Sequence, residues 1–118
     1  MSHRLRLAIN ALMEMFPHKS KSWIRRCIKR LPTVRKLCKN VWFLRCMPEL
    51  GDRRAYYLVV FDEKTGRYTC SCYDKLSMWG ERRRKEMCSH VGAVILSRLI
   101  GQEYLKVVKY ERSGINRK

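Results

Sequence analysis

Apolar side chains recur every three or four residues in the first part of the chain and in short dense runs further on. In residues 3–16, HRLRLAINALMEMF, the apolar positions Leu5, Ala8, Ile9, Leu12, Met15 and Phe16 fall on one face of an α-helix. Pro17 disfavours its continuation. Ser20 or Ser22 offers a side-chain oxygen to cap a second helix. The apolar side of that helix is Trp23, Ile24, Cys27, Ile28 and Leu31. Pro32 interrupts it, and residues 33–39 are expected to add another short turn or two.

From Asn40 the pattern changes. VWFLRCM and AYYLVVF are rich in β-branched and aromatic residues and read as strands. PELGDRR between them reads as a polar loop, and DEKTG as a turn whose Gly66 accepts a positive φ. RYTCSC follows as a third short strand, with Tyr68, Cys70 and Cys72 sharing a face. SHVGAVILSRLIG is apolar almost all round, as a mostly buried helix is, and Gly101 is a natural stop. QEYLKVVKYE fits helix and strand alike, and RSGINRK reads as a loose basic tail.

These elements define an α+β chain: N-terminal helices, an antiparallel meander and a final helix. The expected organisation is a basic helical segment over 1–39, one compact unit over 40–110, and a tail over 111–118. A length of 118 residues suits a single domain with a modest core, for which a local staple is valuable.

Charge sharpens the picture. Twenty-seven Lys and Arg oppose ten Asp and Glu, a formal +17. A small domain this basic repels itself, so a polyanionic partner is the economical explanation. Nucleic acid is the expected partner, DNA ahead of RNA, and no membrane partner is expected. No apolar run approaches the roughly 18 residues that span a bilayer, and no secretory signal is evident. The expected setting is therefore intracellular, in the cytoplasm or the nucleoid or nucleus, with the cysteines reduced. Three structural disulfides are the alternative use of the six cysteines.

Four potential ligands cluster in sequence: Cys70-x-Cys72, a fifteen-residue spacer, then Cys88-x-His90. Structural zinc takes four ligands at tetrahedral angles. Positions i and i+2 of a helix point about 200° apart, so Cys88 and His90 cannot both face one ion from mid-helix. Cys88 must precede the helix or begin it, with His90 in the first turn, where the helix N-terminus also favours thiolate charge. Such a site staples the strand at Cys70 to the start of the helix. Packing cysteines beside an accidental histidine are the alternative. Cys27, Cys38 and Cys46 have no ligand spacing and are expected to be buried thiols. Trp23 and Trp42 are expected in the core.

Tyr68-x-Cys70-x-Cys72 followed by Cys88-x-His90-Val91-x-Ala93-Val94 resembles the SWIM-type zinc finger, in its small stand-alone form. The resemblance covers about 40–100 and leaves 1–39 unexplained. It implies a ββα finger with one structural zinc on three Cys and one His, and a role in binding DNA or protein. Tyr73 stands where many members of that family carry proline. The role implied is an accessory factor in recombination, transposition or transcription. The alternative is a protein adaptor or homodimer, pairing with a recombinase-like or other DNA-processing subunit through helix 3–16.

The basic residues give the contact surface for the first role. Lys19, Lys21, Arg25, Arg26, Lys29, Arg30, Arg35, Lys36 and Lys39 occur with no acid among them. Arg25, Arg26, Lys29, Arg30, Arg35 and Lys36 are the candidate phosphate contacts there, and Arg82, Arg83, Arg84 and Lys85 those of the spacer. Trp79 is available there to stack on a base or to fill the core. A solvated face is the alternative for all of these charges. No catalytic residues are expected: with His90 committed to metal, no Ser/His/Asp set, nucleophile elbow or phosphate-binding glycine loop is visible.

Overall fold

The computed structural model describes residues 2–73 and 87–101. Helix α1 (His3–Met15) opens at Ser2, whose Oγ accepts the Leu5 N–H at 3.1 Å. Helix α2 (Lys21–Arg30) opens at Ser20, which accepts the Trp23 N–H at 3.1 Å. Of the two candidate serines, Ser20 is thus the cap. Lys29 and Arg30 occupy the last turn, where the helix dipole favours cations.

The next segment departs from expectation. Leu31–Thr33 is a single 3-10 turn, and Arg35–Cys38 is a strand, β1, where another helical turn was expected. Asn40, at φ 64°, turns the chain into β2 (Val41–Arg45). β3 (Tyr56–Asp62) and β4 (Arg67–Cys70) complete an antiparallel sheet in the order β1-β2-β3-β4. The strand ending at Cys70 is therefore the fourth. Gly66, at φ 70°, closes the β3–β4 turn as its sequence suggests. Cys72 leaves the strand and sits in a 3-10 turn, Ser71–Tyr73, rather than on the strand face.

Strand alternation divides the sheet into two faces. Register places Trp42 beside Val59, Leu44 beside Tyr57, and Val59 beside Cys70. These residues face inward and join one core with Ala8 and Leu12 of α1 and Trp23, Ile24 and Cys27 of α2. The third helix, α3, is helical over 89–101 and contributes Val91, Ala93, Val94, Ile95 and Leu96. Burying side chains of this size is worth about 1.5–3 kcal/mol each. Both Trp23 and Trp42 belong to this core, as expected. Among the remaining cysteines Cys27 is buried and Cys46 half-buried, but Cys38 is exposed, because β1 is an edge strand with all four residues in solvent.

Two contacts fix α3, one on α2 and one on the sheet. A Cβ at Gly92 would lie 2.4 Å from Cys27 Sγ and 2.7 Å from the Trp23 ring, so only glycine lets α2 and α3 approach this closely. Further along, the Arg98 guanidinium lies 5.2 Å from the Trp42 ring centroid and 4.9 Å from that of Phe61, and donates to Tyr68 Oη. Among the described residues no helix is long and apolar enough to cross a membrane.

Candidate metal centre

The four expected ligands converge. Cys70 comes from the end of β4, Cys72 from the following turn, Cys88 from the residue before α3, and His90 from its first turn. Their donor atoms all lie within 4.8 Å of one another. Tetrahedral bonds of about 2.3 Å put neighbouring sulfurs roughly 3.8 Å apart, so a small contraction closes the cluster on an ion. Cys70, Cys72 and His90 are buried; Cys88 is partly exposed as a residue, yet its thiol is enclosed.

His90 shows how the site is oriented. Its Nε2 lies 3.2 Å from Asp52 Oδ1, and an acceptor-only carboxylate makes this nitrogen the donor. Its Nδ1 is buried and has no hydrogen-bond partner. A buried orphan nitrogen is costly, and ligation by the metal removes that cost. The ring stacks on Tyr57, with centroids 4.0 Å apart. Tyr57 is held in turn because its Oη accepts the Arg53 and Arg54 N–H groups.

Asp52 then ties the site to α2. Arg30 donates Nη1 to Oδ2 at 2.6 Å and Nη2 to Oδ1 at 2.9 Å, and its Nε donates to Ser89 Oγ at 2.8 Å. The Met47 N–H also donates to Asp52. Burial alone would raise the Asp52 pKa; the hydrogen bonds from His90, Arg30 and Met47 outweigh it and hold the carboxyl well below its ordinary range. A metal-bound histidine gripped by a carboxylate on its far nitrogen is a recurrent device for fixing ring orientation.

The sulfurs polarise one another. Burial raises the Cys88 thiol, but hydrogen bonds from Cys70 and Cys72 and from His90 hold it well below the usual thiol range. The contacts with Cys72 and Cys88, and then burial, push Cys70 the other way. One thiolate thus accepts hydrogen bonds from its neighbours, and a divalent ion bound there would take the place of those protons. Cys27 is different: burial, and next the charge of Cys88, push it up to about 12, so it stays a neutral thiol.

The loop before α3 is clamped as well. Met87 has φ 65°, and its carbonyl accepts Trp23 Nε1 at 3.2 Å and Lys19 Nζ at 3.0 Å. The Cys88 N–H donates to Tyr73 Oη at 3.1 Å.

The candidate phosphate contacts are dispersed. Arg25 and Lys29 are exposed on α2, and Arg35 and Lys36 are exposed on β1 rather than on a helix. Lys36 Nζ lies 5.8 Å from the Trp42 ring centroid. Arg26 is half-buried and donates to the Leu50 carbonyl at 2.6 Å. Arg30 corrects the expectation: only 1% exposed, it is committed to Asp52 and Ser89 and presents no surface to a phosphate. Arg82, Arg83, Arg84 and Lys85, with Trp79, lie outside the described residues, as do the segments from 102 on. Sequence reasoning missed Asp52 and Arg30 as supports of the site; an acid in a loop and a cation in a basic run carry no local signal for such roles.

In comparisons with known proteins, no family model, curated protein or solved structure matches the chain. The likeness to the SWIM finger therefore rests on the four ligands and the residues that flank them.

Proposed function

We propose that this chain is a zinc-stapled, SWIM-like protein that binds nucleic acid, DNA ahead of RNA, mainly through phosphate contacts. The four converging donors carry the zinc reading. Three sulfurs and one imidazole nitrogen are the donor set of closed structural zinc sites. Zinc held there by Cys70, Cys72, Cys88 and His90 supplies folding energy, and with four protein ligands it leaves no position for an activated water. The role assigned to it is structural.

The formal charge of +17, with Arg25, Lys29, Arg35 and Lys36 exposed, supports the nucleic-acid reading. The alternative, an adaptor docking through α1, is less well supported. Part of the apolar stripe of that helix is used inside, where Ala8 and Leu12 are buried in the common core with Ile9 and Phe16 packed against it, although Met15 stays 51% exposed.

Metal analysis of the purified protein is expected to give about one zinc per chain, and Cys88→Ser to lower both metal content and melting temperature. Binding of labelled single-stranded DNA, duplex DNA and RNA is then measured across salt concentrations. A log–log slope steeper than about −2 is expected; a flatter one defeats the phosphate-contact reading.

A further inference from the structure

The sheet has a second face that the core does not use. Along β2 and β3, Val41, Phe43 and Arg45 alternate with the buried Trp42 and Leu44, and register sets them beside Val60, Leu58 and Tyr56. Tyr56 is 52% exposed and Val60 39%. The Phe43 and Tyr56 rings are nearly parallel, 20° apart, with centroids at 5.5 Å. An open groove of about 260 Å³ adjoins them, lined by Arg54, Ala55, Tyr56, Leu58 and Ser71.

Cations surround this apolar strip. Arg35 lies opposite Phe43 on β1, and Arg45 opposite Tyr56 on β2. Arg54 borders the groove, where its Nη1 donates to the Ser71 carbonyl at 2.7 Å. Asp62 shares the face, next to Arg67. Parallel aromatic rings edged by arginines match a ligand that offers flat rings and negative charge together.

We propose that this outer face is a stacking platform for single-stranded nucleic acid, with one base laid on Tyr56 and Phe43 and the adjoining phosphates met by Arg35, Arg45 and Arg54. The proposal rests on the nucleic-acid reading above and adds the strand form and the residues that read it. A single strand exposes the π-faces that a duplex keeps stacked inside, and base–aromatic stacking is insensitive to sequence. A second copy of the chain suits the face poorly, because it would bring +17 against +17.

The test compares wild type with Tyr56→Leu and Phe43→Leu, both of which keep an apolar residue in a strand. The probes are an oligothymidylate of about 15 nucleotides and a duplex of the same length. For Tyr56→Leu, affinity for the single strand is expected to fall about tenfold or more. Duplex affinity and the salt slope should stay unchanged, and so should zinc content and melting temperature. Ultraviolet cross-linking of the wild type should join thymine to Tyr56 or Phe43, as mapped by mass spectrometry. Unchanged single-strand affinity, an equal loss on both probes, or cross-links confined to other residues overturns the platform and leaves phosphate binding standing. A wild type that binds neither probe removes both readings together. A wild-type dimer that Tyr56→Leu dissociates assigns the face to a second copy and overturns the platform.

Discussion

Asp52 supports the site from outside the four donors. One carboxylate orients His90, neutralises the buried Arg30 and fixes the Met47 amide. Asp52→Ala leaves the Arg30 guanidinium unpaired inside the protein, a loss of about 3–5 kcal/mol. It also frees the His90 ring, which is expected to lower metal affinity about 10- to 100-fold. Denaturant unfolding reads the first effect and chelator competition the second; a variant with wild-type values for both would remove Asp52 from the site. None of this was legible in the sequence. Asp52 stands 22 residues from Arg30 and 38 from His90, so only tertiary structure brings them together. The cluster of four donors was legible because they stand in two short motifs, Cys70-x-Cys72 and Cys88-x-His90. Helix geometry even placed Cys88 before α3 and His90 in its first turn.

Among the elements, those with strong periodicity follow their sequence closely. The apolar stripes of α1 and α2 and the alternation of β2 and β3 each report a buried face. β1 was misread because it has no buried face: Arg35, Lys36, Leu37 and Cys38 are all exposed, and pairing with β2 alone makes it a strand. Cys72 was misplaced for a different reason: the strand ends at Cys70 and the chain turns at Ser71–Tyr73, burying Cys72. The contrast between β1 and β2 is measurable. Leu44→Ala, at a fully buried position, is expected to cost about 2–5 kcal/mol in denaturant unfolding. Leu37→Ala, 58% exposed, is expected to stay within about 0.5 kcal/mol of wild type. Comparable losses at the two sites would mean that β1 is covered.

For the whole molecule, an ion held by the four donors would join parts that are distant in sequence. It would link the end of β4 to the start of α3, and through the His90–Asp52–Arg30 contacts it would reach α2. Without an ion, three sulfurs share protons and Nδ1 of His90 has no hydrogen-bond partner. A strong chelator is therefore expected to lower the melting temperature by at least about 10 °C, followed by circular dichroism. An unchanged melting curve, with metal loss verified, would reduce the site to packing.

Gly92 carries a consequence for how such a chain can drift in sequence. The helix it belongs to also supplies His90, so the close approach of α3 to α2 and the position of a ligand are one geometric fact. Any larger residue at 92 collides with the rigid Trp23 ring and with Cys27. Relief by shifting α3 would move His90, while relief in place requires smaller side chains at 23 or 27. Descendants of this sequence are thus expected to keep glycine at 92, or to change it together with 23 and 27, so that three positions with no role as ligands are inherited as a unit.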